Sequence, residues 1–532
     1  MKDKSKPTKK ASVSSYPNTS EKLAISQTQQ APPFRKRNAY IVIAVYAIIM
    51  LIISLGLRKI GLYDIETDFY QDYVIQAQKI LKGQIPVEPF HGPGYPFVLA
   101  AVNVIFNELF TSARIISALS AALYLLLAFL VIREKFDSIV ATLTAFSMAI
   151  NPTLFRYSYI ASSDMIFSFI ATLAVFLSIR ALEKGRFIES FLVGILSGTT
   201  FLIRYNGIFL FFAYAVASIY SSGLEIKKLF SKLGGFVFGC LLILIPWGLY
   251  TKYQTGIFLY NQNFYNIAWE VYGKDNMSWD EFWHNRKSEF SSFMDVVMKD
   301  PWLFLEKIGG NLIVNIWNDL TKLVGWFYLP FFVIGLIYMV KKKQWPKITL
   351  LLPFYAFFYL ILSLVFYSER FSFFMLPFYL LICWTSVLWL PEKWKWVSFI
   401  IALILNIPNL VMSIKNLSKD ISQEPRDVLY IAREFISRYG PPRNKEGIMA
   451  RKAHIAYYLG MDFHIIPIHA DTANLPLEMK KVGAKYLYYS SIEYYLRPNL
   501  RSLANYQNPP DYLEPILVNY RPFAVLYKLR DR

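Results

Sequence analysis

Between Tyr63 and Pro96 the chain reads YDIETDFYQDYVIQAQKILKGQIPVEPFHGPGYP, and four carboxylates crowd its first turns: Asp64, Glu66, Asp68 and Asp72. Three further polar sites stand in apolar surroundings: Asp164 within NPTLFRYSYIASSDMIF, Arg204 opening R-Y-N-G, and Glu369-Arg370 between two apolar runs. Ionisable groups at membrane depth are costly and collect where a cavity or pathway uses them. This set suits the transfer of a sugar from a lipid-linked phosphate. The leaving group there is already a stable anion, so no general acid is needed, whereas glycoside hydrolysis normally takes a pair of carboxylates. One carboxylate removes the acceptor's proton, a contribution of about 10²–10⁴-fold. Arg or Lys holds the departing charge. The same residues also have plain structural uses. Acids near a helix start offset its dipole, Asp164 follows Ser162-Ser163 as a cap-region acid, and Arg370 can snorkel to an interface.

The elements that must position these groups are membrane helices. The chain has 532 residues, of which 55% are hydrophobic and only 17% charged, which excludes a string of soluble domains. A span needs about 20 apolar residues to cross about 30 Å of hydrocarbon. About eleven segments qualify: 39–57, 112–132, 138–156, 160–180, 188–203, 207–222, 233–252, 322–340, 348–367, 371–390 and 396–414. A net charge of +19 would suggest nucleic acid in a soluble protein, but here the basic residues sit in short loops. The loops at Arg133/Lys135, Arg180/Lys184/Arg186, Lys227/Lys228/Lys232, Lys341–Lys347 and Lys393/Lys395 all fall on one side, together with Arg35-Lys36-Arg37. The positive-inside rule makes that side cytoplasmic. Residues 1–38, polar and Lys-rich, read as a disordered cytoplasmic tail, and no cleavable signal peptide precedes the first span. Cys240 and Cys383 both lie in apolar spans, so no disulfide framework is implied.

The expected membrane domain is therefore 39–414, and the opposite face receives 58–111, the turns at Arg156 and Arg204, 253–321, Ser368-Glu369-Arg370 and everything after 415. Within 58–111, residues 68–82 and 95–106 read as helices lying in the interface plane. The aromatic-rich 253–321 segment suits an interfacial belt or a lid over a lipid-facing cavity. Residues 415–532 alternate helical stretches (425–438, 453–459, 475–482, 491–505) with β-rich runs (447–450, 463–468, 485–489, 522–529), the pattern of a small α/β domain outside the membrane. His284, His454, His464 and His469 are scattered without metal-ligand spacing. No cofactor is required, although a divalent cation bridging donor phosphate and carboxylates is compatible with the set.

The patterns D-F-Y-Q-D-Y-x-x-x-A-x-x-I-L-x-G-x-x-P and G-P-G-Y-P resemble the first outer loop of GT-C-type glycosyltransferases. Within that superfamily the chain is similar to the protein O-mannosyltransferase group and its bacterial relatives that modify lipid A or other envelope glycans. The likeness continues through N-P-x-x-x-R-x-S-x-x-A-S-S-D (Asn151 to Asp164), R-Y-N-G (Arg204 to Gly207) and S-E-R-F-x-x-x-M-L-P (Ser368 to Pro377). It implies Asp68 as the base, or Glu66 in a register shifted by two. Asp164 would orient the acceptor or join the same site, and Arg370 would bind the lipid phosphate with Arg204 assisting. Tyr73 and Glu369 fall beside these groups. Relatives often place Lys before prolines where this chain has His91-Gly92-Pro93, so that phosphate contact would pass to His91. The resemblance further implies a polyprenyl-phosphate-linked donor, inversion at the anomeric centre, and a lipid A, glycan or protein acceptor. A bacterial inner-membrane enzyme with its site and carboxy-terminal domain extracytoplasmic is the resulting expectation. The competing class is a transporter or flippase for a lipid-linked substrate, which should carry its ionisable residues at mid-bilayer on broken helices, not at one face.

Overall fold

The computed structural model describes residues 36–223, 225–442 and 446–530, so most of the expected tail, 1–35, lies outside the described residues. Helix dominates, and each of the eleven apolar segments contains one. Among the described residues seven helices are long and apolar enough to cross a membrane, with shorter apolar helices at Gly94–Phe106, Ser138–Ile150, Phe187–Ile203 and Leu352–Ser363. The chain is a multi-pass membrane protein. The most apolar windows of Leu109–Lys135 and Glu369–Trp389 are 78% and 83% buried, whereas those of Ala39–Leu57 and Ile226–Thr255 are each only 28% buried. The first pair forms the centre of the bundle, and the second pair faces lipid.

Polar side chains lock these helices together where no water competes. The Ser147 hydroxyl meets the Tyr328 hydroxyl at 3.0 Å, Trp384 Nε1 at 3.1 Å and Asn406 Nδ2 at 3.2 Å, joining four segments distant in sequence. Asn151, where the 138–156 segment breaks, caps Pro152–Tyr157 through Leu154 N and donates to Leu323 O at 2.6 Å. Buried Asp319 accepts from the hydroxyls of Tyr359, Tyr367 and Tyr379 at 3.1, 3.0 and 3.3 Å.

The basic loops gather at one end of the bundle. Lys135 reaches Glu183 at 2.5 Å, Arg180 reaches Glu134 at 2.9 Å, and Ser231 donates to Gly185 O at 3.2 Å. Lys347 lies over the Phe136 ring, and Lys341 and Lys342 over that of Trp389. At the other end, the 58–73 loop meets the carboxy-terminal layer.

That layer is a five-stranded sheet, β1 (Gly447–Ala450), β2 (Asp462–Ile465), β3 (Ala484–Ser490), β4 (Leu513–Tyr520) and β5 (Phe523–Leu529), in the order β2-β1-β3-β5-β4. β1 runs parallel to β2 and β3, while β5 is antiparallel to β3 and β4. Helix Arg426–Tyr439 packs Val428, Ile431 and Phe435 on one face, and Ile60 from the first loop enters the same core. Leu475, Met479, Leu500 and Leu503 cover the other face. β4 is absent from the sequence-based expectation because Pro515 sits in it. Proline is tolerated on edge strands and at bulges, and β4 is an edge strand whose register shifts between Pro515 and Leu517.

Candidate functional site

The first loop leaves the membrane at Arg58, a guanidinium with no exposure that is ion-paired to Glu66 at 2.7 Å and to Glu424 at 3.2 Å. Glu66 is equally buried and also accepts from Leu62 N at 2.7 Å and Ala161 N at 2.8 Å. It is thus a structural knot that ties the loop to the 158–163 turn, and it does not line the site cavity. The structure takes Glu66 out of the position a base requires. Glu66→Gln should leave Arg58 undercompensated and destabilise the fold by up to about 3–5 kcal/mol. A thermal melt in detergent checks this, and an unshifted midpoint would contradict it.

Beyond this knot the chain turns into Phe69–Tyr73, wound as a wide π turn, and then Val74–Leu81, which Gly83 ends at φ +77°. Asp68 starts this element with its side chain half exposed. The carboxy-terminal layer grips it: Lys452 Nζ donates to Thr67 Oγ1 at 2.7 Å, the Tyr458 and Tyr70 hydroxyls lie 3.2 Å apart, and the His454 ring sits 3.9 Å from that of Tyr70.

Next comes His91-Gly92-Pro93-Gly94. A Cβ on Gly92 would lie 2.0 Å from Leu202 O, and one on Gly94 2.8 Å from Ile203 N. The glycines therefore let this backbone press against the end of helix Phe187–Ile203, which sets His91 beside Arg204. His91 Nδ1 lies 3.2 Å from Asp72 Oδ2. Burial opposes the imidazolium, but Asp72, backed by Asp68 and Glu88, outweighs it and holds the His91 pKa above its ordinary value. A raised folded pKa adds stability that is complete below the unfolded value, about 6.5, and vanishes as pH rises through the folded value. Asp72→Asn should therefore flatten the stability–pH curve above about pH 6.5. Melting curves from pH 6 to 9 (roughly the His range) test this, and parallel curves for both proteins would refute it.

A cavity of about 360 Å³ opens between these elements, lined by Asp68, Asp72, Tyr73, His91, Arg204 and Arg370 among others. Asp164, first residue of its helix and 3% exposed, lies behind the wall, ion-paired through Oδ1 to Arg204 and through Oδ2 to Arg370 at 3.7 Å. Arg370 also stands 3.9 Å from Asp68 Oδ2. Tyr73 shares a hydrogen bond with Ser163 Oγ at 3.1 Å. Asp68, Asp164, Arg204, Arg370, His91 and Tyr73 are thus brought together from four separate stretches. Glu369 turns the other way, accepts from Thr153 Oγ1 at 2.6 Å, and lines a second cavity of about 380 Å³ with Arg156, Tyr157, Lys322 and Tyr367. Arg370 borders both cavities.

Arg370 is the group best placed to receive an anion. Its side chain is only 22% exposed, yet among the described residues it makes no hydrogen bond, only the two long ion pairs and cation–π contacts with Tyr157 and Phe371. A guanidinium carries five donors in a rigid fork, and here the fork is held by charge while its protons stay available. Arg204 is already engaged by Asp164. Among the described residues no three His, Cys, Asp or Glu side chains converge on a metal position. Asn263, Asn266 and Trp279, from the 253–321 segment, also line the first cavity. In the sequence Trp279 stands out only as part of an aromatic belt or lid, and neither asparagine carries a local signal.

Residues 90–250 match the model of the dolichyl-phosphate-mannose-protein mannosyltransferase family. Among solved structures, ArnT from Cupriavidus metallidurans bound to undecaprenyl phosphate is similar, with a TM-score of 0.54 at 12% identity over 92% of this chain and 98% of that one. The same protein in the apo state gives 0.53 at 11% identity over 92% and 98%. An Archaeoglobus fulgidus oligosaccharyltransferase tethered to an acceptor peptide gives 0.50 at 14% identity over 94% and 74%. No curated protein matches the sequence. The fold and the matched segment both point one way.

Proposed function

From the premise that this chain has the fold of the GT-C glycosyltransferases its motifs resemble, we propose that it transfers a sugar from a polyprenyl-phosphate donor to an envelope acceptor, with inversion. The observation that carries this reading is Arg370, a largely buried guanidinium with free donors, set between Asp68 at 3.9 Å and Asp164 at 3.7 Å. The donor phosphate lies against Arg370, with Arg204 adding positive charge and the His91 imidazole, held toward its charged form by Asp72, lining the same cavity. Asp68 takes the proton of the acceptor hydroxyl as its oxygen attacks the anomeric carbon. The bond to the phosphate oxygen breaks, and the lipid phosphate departs as an anion that Arg370 stabilises. Asp164 is a positioning residue: it holds both arginines toward the cavity and does not meet the substrate. Glu369, facing the second cavity, is assigned to the acceptor side. In the same proposal the basic-loop side is cytoplasmic, as the positive-inside rule favours, the site faces the opposite, extracytoplasmic side, and the membrane is a bacterial inner membrane.

The test is sugar transfer by the purified full chain from a polyprenyl-phosphate sugar, read as released polyprenyl phosphate, alongside mass spectrometry of envelope glycolipids, glycans and proteins from a deletion strain. Loss of one glycan in the deletion strain identifies the acceptor. An unchanged envelope together with no release from any lipid-linked donor would defeat the proposal. Running the assay with and without EDTA decides whether a divalent cation joins Arg370 on the phosphate.

A further inference from the structure

A second binding surface lies away from the catalytic cavity, at the junction of the first span and the carboxy-terminal layer. A groove of about 710 Å³ runs between the end of that span and helix Arg426–Tyr439. Its floor is apolar: Leu57, Leu429 and Ile436. Leu57 is 45% exposed and continues the lipid-facing stripe of the span through Leu55, 46% exposed, so the floor is continuous with the surface that meets acyl chains. Its rim carries three cations, Lys59, Arg426 and Arg433.

The positive charge is not cancelled from within. Among the described residues the only carboxylate engaging the rim is Glu424, whose side chain is fully buried, 3.4 Å from Arg426 and already paired with Arg58 at 3.2 Å. Glu434 is committed to Arg438 at 2.9 Å. Lys59 Nζ donates only to Gly56 O, and Arg433 has no ion pair among the described residues. Apolar floor below and three cations above match one chemistry, a phosphate headgroup with its acyl chains still in the bilayer. Basic residues at a membrane surface attract anionic lipids in this way. These cations also stand at the end of the bundle away from the basic loops, where the positive-inside rule does not account for them.

We infer that this groove binds the headgroup of an anionic phospholipid. Occupancy bears on the catalytic loop, because Tyr458 lines the groove and its hydroxyl lies 3.2 Å from that of Tyr70, two residues after Asp68. The lipid thus props the contact by which the carboxy-terminal layer holds the loop.

The probe is dihexanoyl phosphatidylglycerol, with dihexanoyl phosphatidylcholine as its zwitterionic counterpart, titrated into the detergent-solubilised full chain and followed by native mass spectrometry. Phosphatidylglycerol should bind in preference, and the triple variant K59Q/R426Q/R433Q should bind it about 10²-fold more weakly, at roughly fivefold per surface cation. Arg433→Gln alone, an exposed change that leaves the Arg58–Glu424 contact intact, should cost about fivefold and serves if the triple variant does not fold. Equal binding by Arg433→Gln and the natural chain, or of the two lipids, would overturn the inference. Displacement by equimolar inorganic phosphate would also overturn it, by showing a site for a free anion.

Discussion

Asp68→Asn is expected to lower sugar transfer by about 10²–10⁴-fold, the range a positioned general base contributes. Insertion, yield and melting temperature should stay unchanged. The physical reason is that little else depends on this carboxylate. It is half exposed, and its one ion pair among the described residues, to Arg370, spans 3.9 Å. The amide is nearly isosteric but cannot accept the acceptor's proton at neutral pH. The contrast with Glu66→Gln is diagnostic, since that change should damage stability first and activity as a consequence. Transfer by Asp68→Asn within a few-fold of the natural chain would remove it from the mechanism.

Arg370→Gln should cost about 10²–10³-fold, the loss seen when one donor to a developing anion is removed. The fold should tolerate it, because Arg204 remains on Asp164 and no buried acid is left alone. Arg370→Lys should recover only part of the rate, since an ammonium restores the charge but not the two-pronged geometry. Steady-state kinetics with varied donor decide the matter. Both kcat and kcat/KM for the donor should fall together, and an unaltered donor dependence would refute the role given to Arg370.

Much of this was legible in the sequence because membrane burial writes a strong signal. Each of the eleven apolar segments contains a helix, and Asp68, Asp164, Arg204 and Arg370 stand out as charges in an apolar chain. The choice between Asp68 and Glu66 was not legible. Two residues apart on one turn, they differ only in what surrounds them, and that is fixed by Arg58, Glu424 and the 158–163 turn, contacts across long sequence separations. Asp420 shows the same limit from the other side. It holds Arg156 through both oxygens at 2.6 and 2.8 Å, yet nothing local marks it. Asn263 and Asn266 reach the cavity by tertiary folding of a segment whose aromatic composition suits a belt or lid but marks neither asparagine. β4 was hidden by Pro515, whose edge position appears only once the sheet is assembled.

The most direct test is to see where the lipid phosphate sits. A cryo-electron microscopy map of the full chain with undecaprenyl phosphate should place the phosphate within hydrogen-bond reach of the Arg370 guanidinium, in the cavity that Asp68 and His91 share, with the prenyl chain leaving toward the bilayer. A phosphate bound apart from Arg370, or on the basic-loop side of the bundle, would contradict it.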